Sequence, residues 1–101
     1  MKRPARKPEP LPGSIDAMRN LGPQSRAWLA EIGIETEAEL REIGAVEAYL
    51  RLKFALGRKV SLVMLYAMEA ALLDIDWRHL PEETKAVLRA RLPEAHPLTE
   101  P

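Results

Sequence analysis

The sequence has no cysteine, so neither a disulfide framework nor a thiolate metal site can hold it, and a chain of 101 residues must rely on packing alone. That composition suits a reducing cytoplasm, which is the expected location. No long apolar run is present either. The longest, "VSLVMLYAMEAALL" from Val60 to Leu73, is interrupted by Glu69 and is too short for a hydrocarbon layer of about 30 Å, so it reads as a core helix and no membrane partner is expected. The opening "MKRPARKPEPLP" lacks the apolar stretch and small-residue cleavage site of a secretory signal. Strand-like alternation bounded by turns is missing, as are a nucleophile elbow, a phosphate loop and a metal-binding helix motif. Net charge is also absent, with 15 basic and 15 acidic residues, whereas a strongly basic domain would signal nucleic acid at once. The balance conceals a split. Residues 1–20 carry five cations (Lys2, Arg3, Arg6, Lys7 and Arg19) against two carboxylates, and the remainder carries ten against thirteen.

Four of the nine prolines fall in the first twelve residues and three in the last nine, which keeps both ends out of helix. The organisation expected is a basic, proline-rich tail over 1–12, a folded unit over 13–92 and a second proline-rich tail over 93–101. Inside the unit, Gly22, Gly33, Gly44 and Gly57 separate stretches of helical periodicity. The fold class is all-α, a compact bundle of five to six short helices. Ser14 is placed to cap a first helix, "IDAMRNL", with Ile15 and Met18 inward. A second starts at Pro23 and puts Ser25, Trp28, Leu29 and Ile32 on one stripe. Thr36 and Glu39 form a capping box for a third, which turns Leu40 and Ile43 inward and ends at Gly44. The fourth, "AVEAYLRLKFAL", is expected to bury Val46, Tyr49, Leu50 and Phe54 and to close at Gly57. The fifth begins at Ser61 and is apolar on nearly every side, marking it as the centre of the core. Asp76 caps a turn, and a last helix opened by Pro81 points Val87, Leu88 and Leu92 inward.

The stretch "NLGPQSRAWLAEIGI", two short helical runs joined by a tight turn, resembles the helix-hairpin-helix motif of DNA-binding proteins. In that motif hairpin amides and the positive end of the second helix hold a phosphate oxygen without reading bases. The groups so placed are Asn20, Leu21, Gly22, Gln24, Ser25 and Arg26, with Pro23 supplying no N–H. Three positions depart from the motif: Asn20 stands where glycine is usual, Gln24 where lysine often helps, and Arg26 where a small residue lets the helices approach. Asparagine tolerates the left-handed conformation that the first position requires. Lys2, Arg3, Arg6 and Lys7 in the tail add a salt-sensitive contact along phosphates.

Over a longer span, "NLGP", "AWLAEIGI", "LREIGAVEAYLRLK" and "LLDIDWRHLP", with the long apolar helix between them, resemble the C-terminal domain of TfoX (Sxy) proteins, regulators of competence for DNA uptake. The resemblance covers about residues 13–92 and implies a small helical domain related to helix-hairpin-helix folds with a role in gene regulation. Full-length regulators of this kind carry an N-terminal α/β domain where this sequence has its basic tail.

Two functions compete. One is weak, non-specific contact with DNA phosphates through residues 20–26 and the tail. The other is a protein-interaction module that binds a transcription component or a separate TfoX N-terminal-type domain, supported by Glu35, Glu37, Glu39 and Glu42 around the third helix. An enzyme is not expected, nor a cofactor or metal. Asp74, Asp76 and His79 in "DIDWRH" lie close in sequence, but Asp76 has a capping task and His96 sits in the proline-rich tail. Trp28 and Trp77 lie within apolar stripes and are read as core residues. Glu69 is read as a structural ion pair, with Arg78 as its partner, or as a side chain reaching the surface.

Overall fold

A computed structural model of the chain describes residues 13–93. Among them, five α-helices form: α1 (Pro23–Glu31), α2 (Glu37–Ile43), α3 (Ala45–Leu56), α4 (Leu62–Leu72) and α5 (Glu82–Ala90). Single 3-10 turns occupy Ile15–Ala17, Gly57–Lys59 and Trp77–His79, and the described residues contain no strand. The all-α expectation holds.

Turn chemistry sets most of the boundaries. Pro23 opens α1, and Gly33 (φ 84°) closes it, with the amides of Gly33 and Ile34 donating back to Ala30 and Leu29 at 3.0 and 2.9 Å. The capping box that opens α2 is complete: Glu39 N–H donates to Thr36 Oγ1 at 3.1 Å while Glu39 Oε1 accepts from Thr36 N–H at 3.2 Å. Asp76 Oδ1 accepts from Arg78 N–H at 2.9 Å and so caps the Trp77–His79 turn.

The predicted first helix is not there. Ser14 donates its hydroxyl to Asp16 Oδ1 at 2.8 Å instead of capping, and the backbone is already extended again at Met18. An isolated helix of seven residues is marginal by itself, and here the segment is also tied sideways. Ser14 bridges to Thr36, and Glu37 N–H donates to the Gly13 carbonyl at 2.8 Å. The resulting 3-10 turn still delivers Ile15 and Met18 to the core.

α4 is the centre of that core, burying Met64, Leu65, Tyr66, Ala67, Met68, Ala70 and Ala71. α3 faces it with Ala45, Ala48, Tyr49 and Leu52. This is the stripe next to the one the sequence suggests. Val46 and Leu50 lie at its edge, and Phe54, expected inside, is 94% exposed because it sits about 200° around the helix from Leu52. The same displacement occurs in α5, where Leu88 is buried and Val87 faces solvent, and Leu92 just beyond the helix is partly buried. Burial pushes the Tyr49 hydroxyl up to about 12, with the neighbouring Tyr66 phenol adding to the shift. Tyr66 also anchors α5, since Arg89 Nη1 donates to its Oη at 2.9 Å and the Lys85 ammonium lies 5.4 Å from its ring centroid. Glu69 is partly exposed, and Arg78 pairs with Asp76 rather than with it.

Candidate nucleic-acid interface

The hairpin is held in place mainly by one side chain. Asn20 adopts φ 74°, the left-handed conformation its position requires, and its carboxamide reaches across the fold. Nδ2 donates to the Ile75 carbonyl at 2.8 Å, and Oδ1 accepts from Trp77 N–H at 3.1 Å. The side chain is thus a strut between the hairpin and the Asp76-capped turn. Leu21 is buried, and its amide donates to the Met18 carbonyl at 3.2 Å. What faces outward is the start of α1. Gly22 provides no side-chain cap, Pro23 has no N–H, and the first-turn amides have no acceptor within the helix.

Gln24 is exposed and Ser25 partly buried, its hydroxyl 4.0 Å from the Met64 sulfur. Arg26 is exposed and lies 3.4 Å from Asp16 Oδ2. The Ser14 hydroxyl, and after it the Arg26 charge, holds the Asp16 carboxyl below its ordinary range. Asp16 therefore stays ionised at neutral pH and is the carboxylate that pairs with Arg26. Of the hairpin residues named from sequence, Leu21 is buried and Asn20 is taken up by Ile75 and Trp77, while Gln24 and Arg26 stay exposed at an α1 start that has no side-chain cap. Lys2, Arg3, Arg6 and Lys7 lie outside the described residues.

Beside the hairpin lies a cleft of about 230 Å³ lined by Asn20, Ser25, Trp28, Lys59, Ser61, Val63, Met64, Ala67 and Trp77. Trp28 and Trp77 pack against the core as expected, yet both also form part of this wall. No local motif points to Lys59, which arrives from the turn between α3 and α4. A second, more open groove of about 440 Å³ runs beside Phe54, lined also by Ile32, Glu47, Leu50, Arg51 and Ala55.

The "DIDWRH" carboxylates are drawn apart into separate pairs. Arg78 grips Asp76 through Nε at 3.0 Å and Nη2 at 2.9 Å, holding its carboxyl well below the usual range, and Asp74 lies 3.4 Å from Arg19 Nε. Among the described residues no group of three or more His, Asp or Glu side chains is arranged to hold a metal ion, and no helix is long and apolar enough to cross a membrane.

The family model described as TfoX C-terminal domain matches residues 12–92. A triclinic crystal structure of an uncharacterized protein from Listeria monocytogenes is similar at 33% identity and a TM-score of 0.71, over 75% of this chain and 85% of that one. A tetragonal crystal structure of a protein of unknown function from Listeria monocytogenes is similar at 32% identity and a TM-score of 0.65, over 74% of this chain and 91% of that one. No curated protein matches.

Proposed function

Because this chain belongs to the TfoX C-terminal domain family, we propose that it is a non-enzymatic regulatory domain, serving competence or transcription, that touches nucleic-acid phosphates weakly and without reading sequence. The observation that carries this reading is the open start of α1, where Gly22 gives no side-chain cap and the exposed Arg26, paired with Asp16, lies in the same turn. A few amides and one shared arginine make a small contact, so affinity falls in the non-specific range of about 10⁻⁴ to 10⁻⁶ M and weakens as salt rises.

Anisotropy of labelled duplex DNA tests it, with the full chain, with Arg26→Gln, and with Lys2, Arg3, Arg6 and Lys7 all replaced by Ala, at low and moderate salt. Binding that Arg26→Gln weakens and salt removes supports the hairpin contact. Loss only in the tail variant transfers the contact to the tail, and no binding at low salt removes the reading.

The Phe54 groove favours a second function, docking of a transcription component or of a separate TfoX N-terminal-type domain without DNA. A phenylalanine 94% exposed beside partly buried Leu50 and Ile32 has the character of an interface anchor. Calorimetric titration of such a domain into wild type and Phe54→Ser checks it. Equal heats from the two proteins exclude the groove as the docking face.

A further inference from the structure

Most cations of the folded unit are already engaged. Arg19, Arg26, Arg41, Arg51, Arg78 and Lys85 each pair with a carboxylate. Arg89 donates to Tyr66 and Lys53 to the Gly57 and Val60 carbonyls. Among the described residues this leaves Arg58, Lys59 and Arg91 without a protein acceptor, and two of these three are adjacent, on the turn that borders the tryptophan cleft. The cleft is also free of carboxylates, although acidic side chains slightly outnumber basic ones over residues 13–93. By contrast, the grooves beside Arg26, Phe54 and Arg41 each include a Glu or Asp. Its walls combine two indoles with the hydroxyls of Ser25 and Ser61, and Ser61 makes no side-chain cap to α4.

We propose that this cleft takes one unpaired nucleobase of a single-stranded nucleic acid, stacked on an indole face, with an adjoining phosphate on Lys59. Aromatic stacking accepts any base, and a nearby lysine supplies the phosphate attraction that fixes the strand. At about 230 Å³ the cleft is smaller than the roughly 300 Å³ at which pockets for drug-sized molecules begin, which suits one ring system rather than a whole nucleotide and leaves the charged backbone outside at the exposed Lys59. A paired base inside a duplex presents no free face to it. The inference rests on the nucleic-acid reading above and narrows it to unpaired strands, because Asn20 and Ser25 belong to both the hairpin and the cleft wall.

The chain supplies its own reporter, since its only two tryptophans both line the cleft. The experiment titrates the full chain with a ten-nucleotide oligothymidylate, with an abasic oligomer of equal length, with a blunt duplex and with a short peptide carrying phenylalanine and aspartate, following tryptophan emission at low salt. Quenching by oligothymidylate that exceeds quenching by the abasic strand is expected. Lys59→Glu, a change at an exposed position, is expected to weaken this binding about tenfold. Trp77→Leu should weaken it about 5- to 150-fold, the equivalent of one lost stacking contact, and Trp28→Phe, which retains an aromatic face and the packing, should weaken it less.

Arg26→Gln separates the two readings: it lowers duplex anisotropy if the hairpin binds and leaves oligothymidylate quenching in place if the cleft does. Duplex binding without quenching by the single strand overturns the cleft proposal and spares the hairpin. Equal quenching by abasic and thymidine strands, or quenching by the peptide alone, overturns it too, in the first case in favour of phosphate contact only and in the second in favour of a peptide pocket.

Discussion

α4 buries seven of its eleven residues, whereas α1 buries one of nine, Leu29. The two helices are of similar length and belong to one core, so the contrast shows two ways of holding a helix. α4 is fixed by apolar area, at about 1.5–3 kcal/mol for each large side chain removed from water. The segment from Gly13 to Gly44 has less to bury and is fixed by hydrogen bonds with directional geometry: the capping box, the paired closure at Gly33, the Ser14–Thr36 bridge and the Asn20 strut. A helix held in this second way can leave its first turn and its one cation, Arg26, facing water. The hairpin candidates Gln24, Ser25 and Arg26 are accordingly on this side of the molecule.

Breaking the burial side should have the largest effect. Leu65→Ala in the middle of α4 is expected to cost about 2–5 kcal/mol, seen as a lower urea midpoint or outright loss of the folding transition. Asn20→Ala attacks the polar side. It removes both strut bonds, strands the Ile75 carbonyl and Trp77 amide, and leaves a left-handed backbone with no residue suited to it, for a loss of about 2–3 kcal/mol in the same assay. Asn20→Gly should recover only the backbone part of that loss. If it restores full stability, the strut is ornamental and the contrast between the regions fails.

Thr36→Ala, which opens the capping box, should cost about 1 kcal/mol by thermal melting. Acid should act on the polar side as well. Asp16 and Asp76 both have carboxyl groups held below their ordinary range in the folded chain, so the stability they contribute is complete above the unfolded value of about 3.9 and is lost as pH falls below it. Both are partly open to solvent, so the effect is small, and Asp76→Asn should flatten the acid limb of a melting-temperature profile. Phe54→Ser should change stability least, within about 0.5 kcal/mol by urea denaturation, since its ring touches mostly water. A larger loss there would mean that α3 depends on this face even without a partner.

Much of this contrast was legible in the sequence. Thr36 with Glu39, Pro23, Gly33, Gly44, Gly57 and Asp76 all act where their chemistry predicts, and the long apolar run is the core helix. The errors are of one kind. Ser14, Phe54 and Val87 each have two acceptable local roles, and neighbours remote in sequence choose between them. In α3 the apolar residues cover more than half of the helix surface, so periodicity alone allows either of two overlapping stripes. The candidate site divides similarly. Residues 20–26 announce a turn and a helix start, but nothing local reveals that the Asn20 carboxamide is taken up by Ile75 and Trp77, 55 and 57 residues away.

The sequence by itself determined the boundaries of α1 to α3, because an opening proline, a capping box or a closing glycine acts on backbone groups within about four residues and needs no knowledge of the rest of the chain. Only the tertiary structure decided which face of α3 is covered and which cations find carboxylates. It also brought Trp28, Lys59 and Trp77 around one cleft, because those outcomes depend on which surfaces meet when α1, α4 and the Trp77–His79 turn pack together.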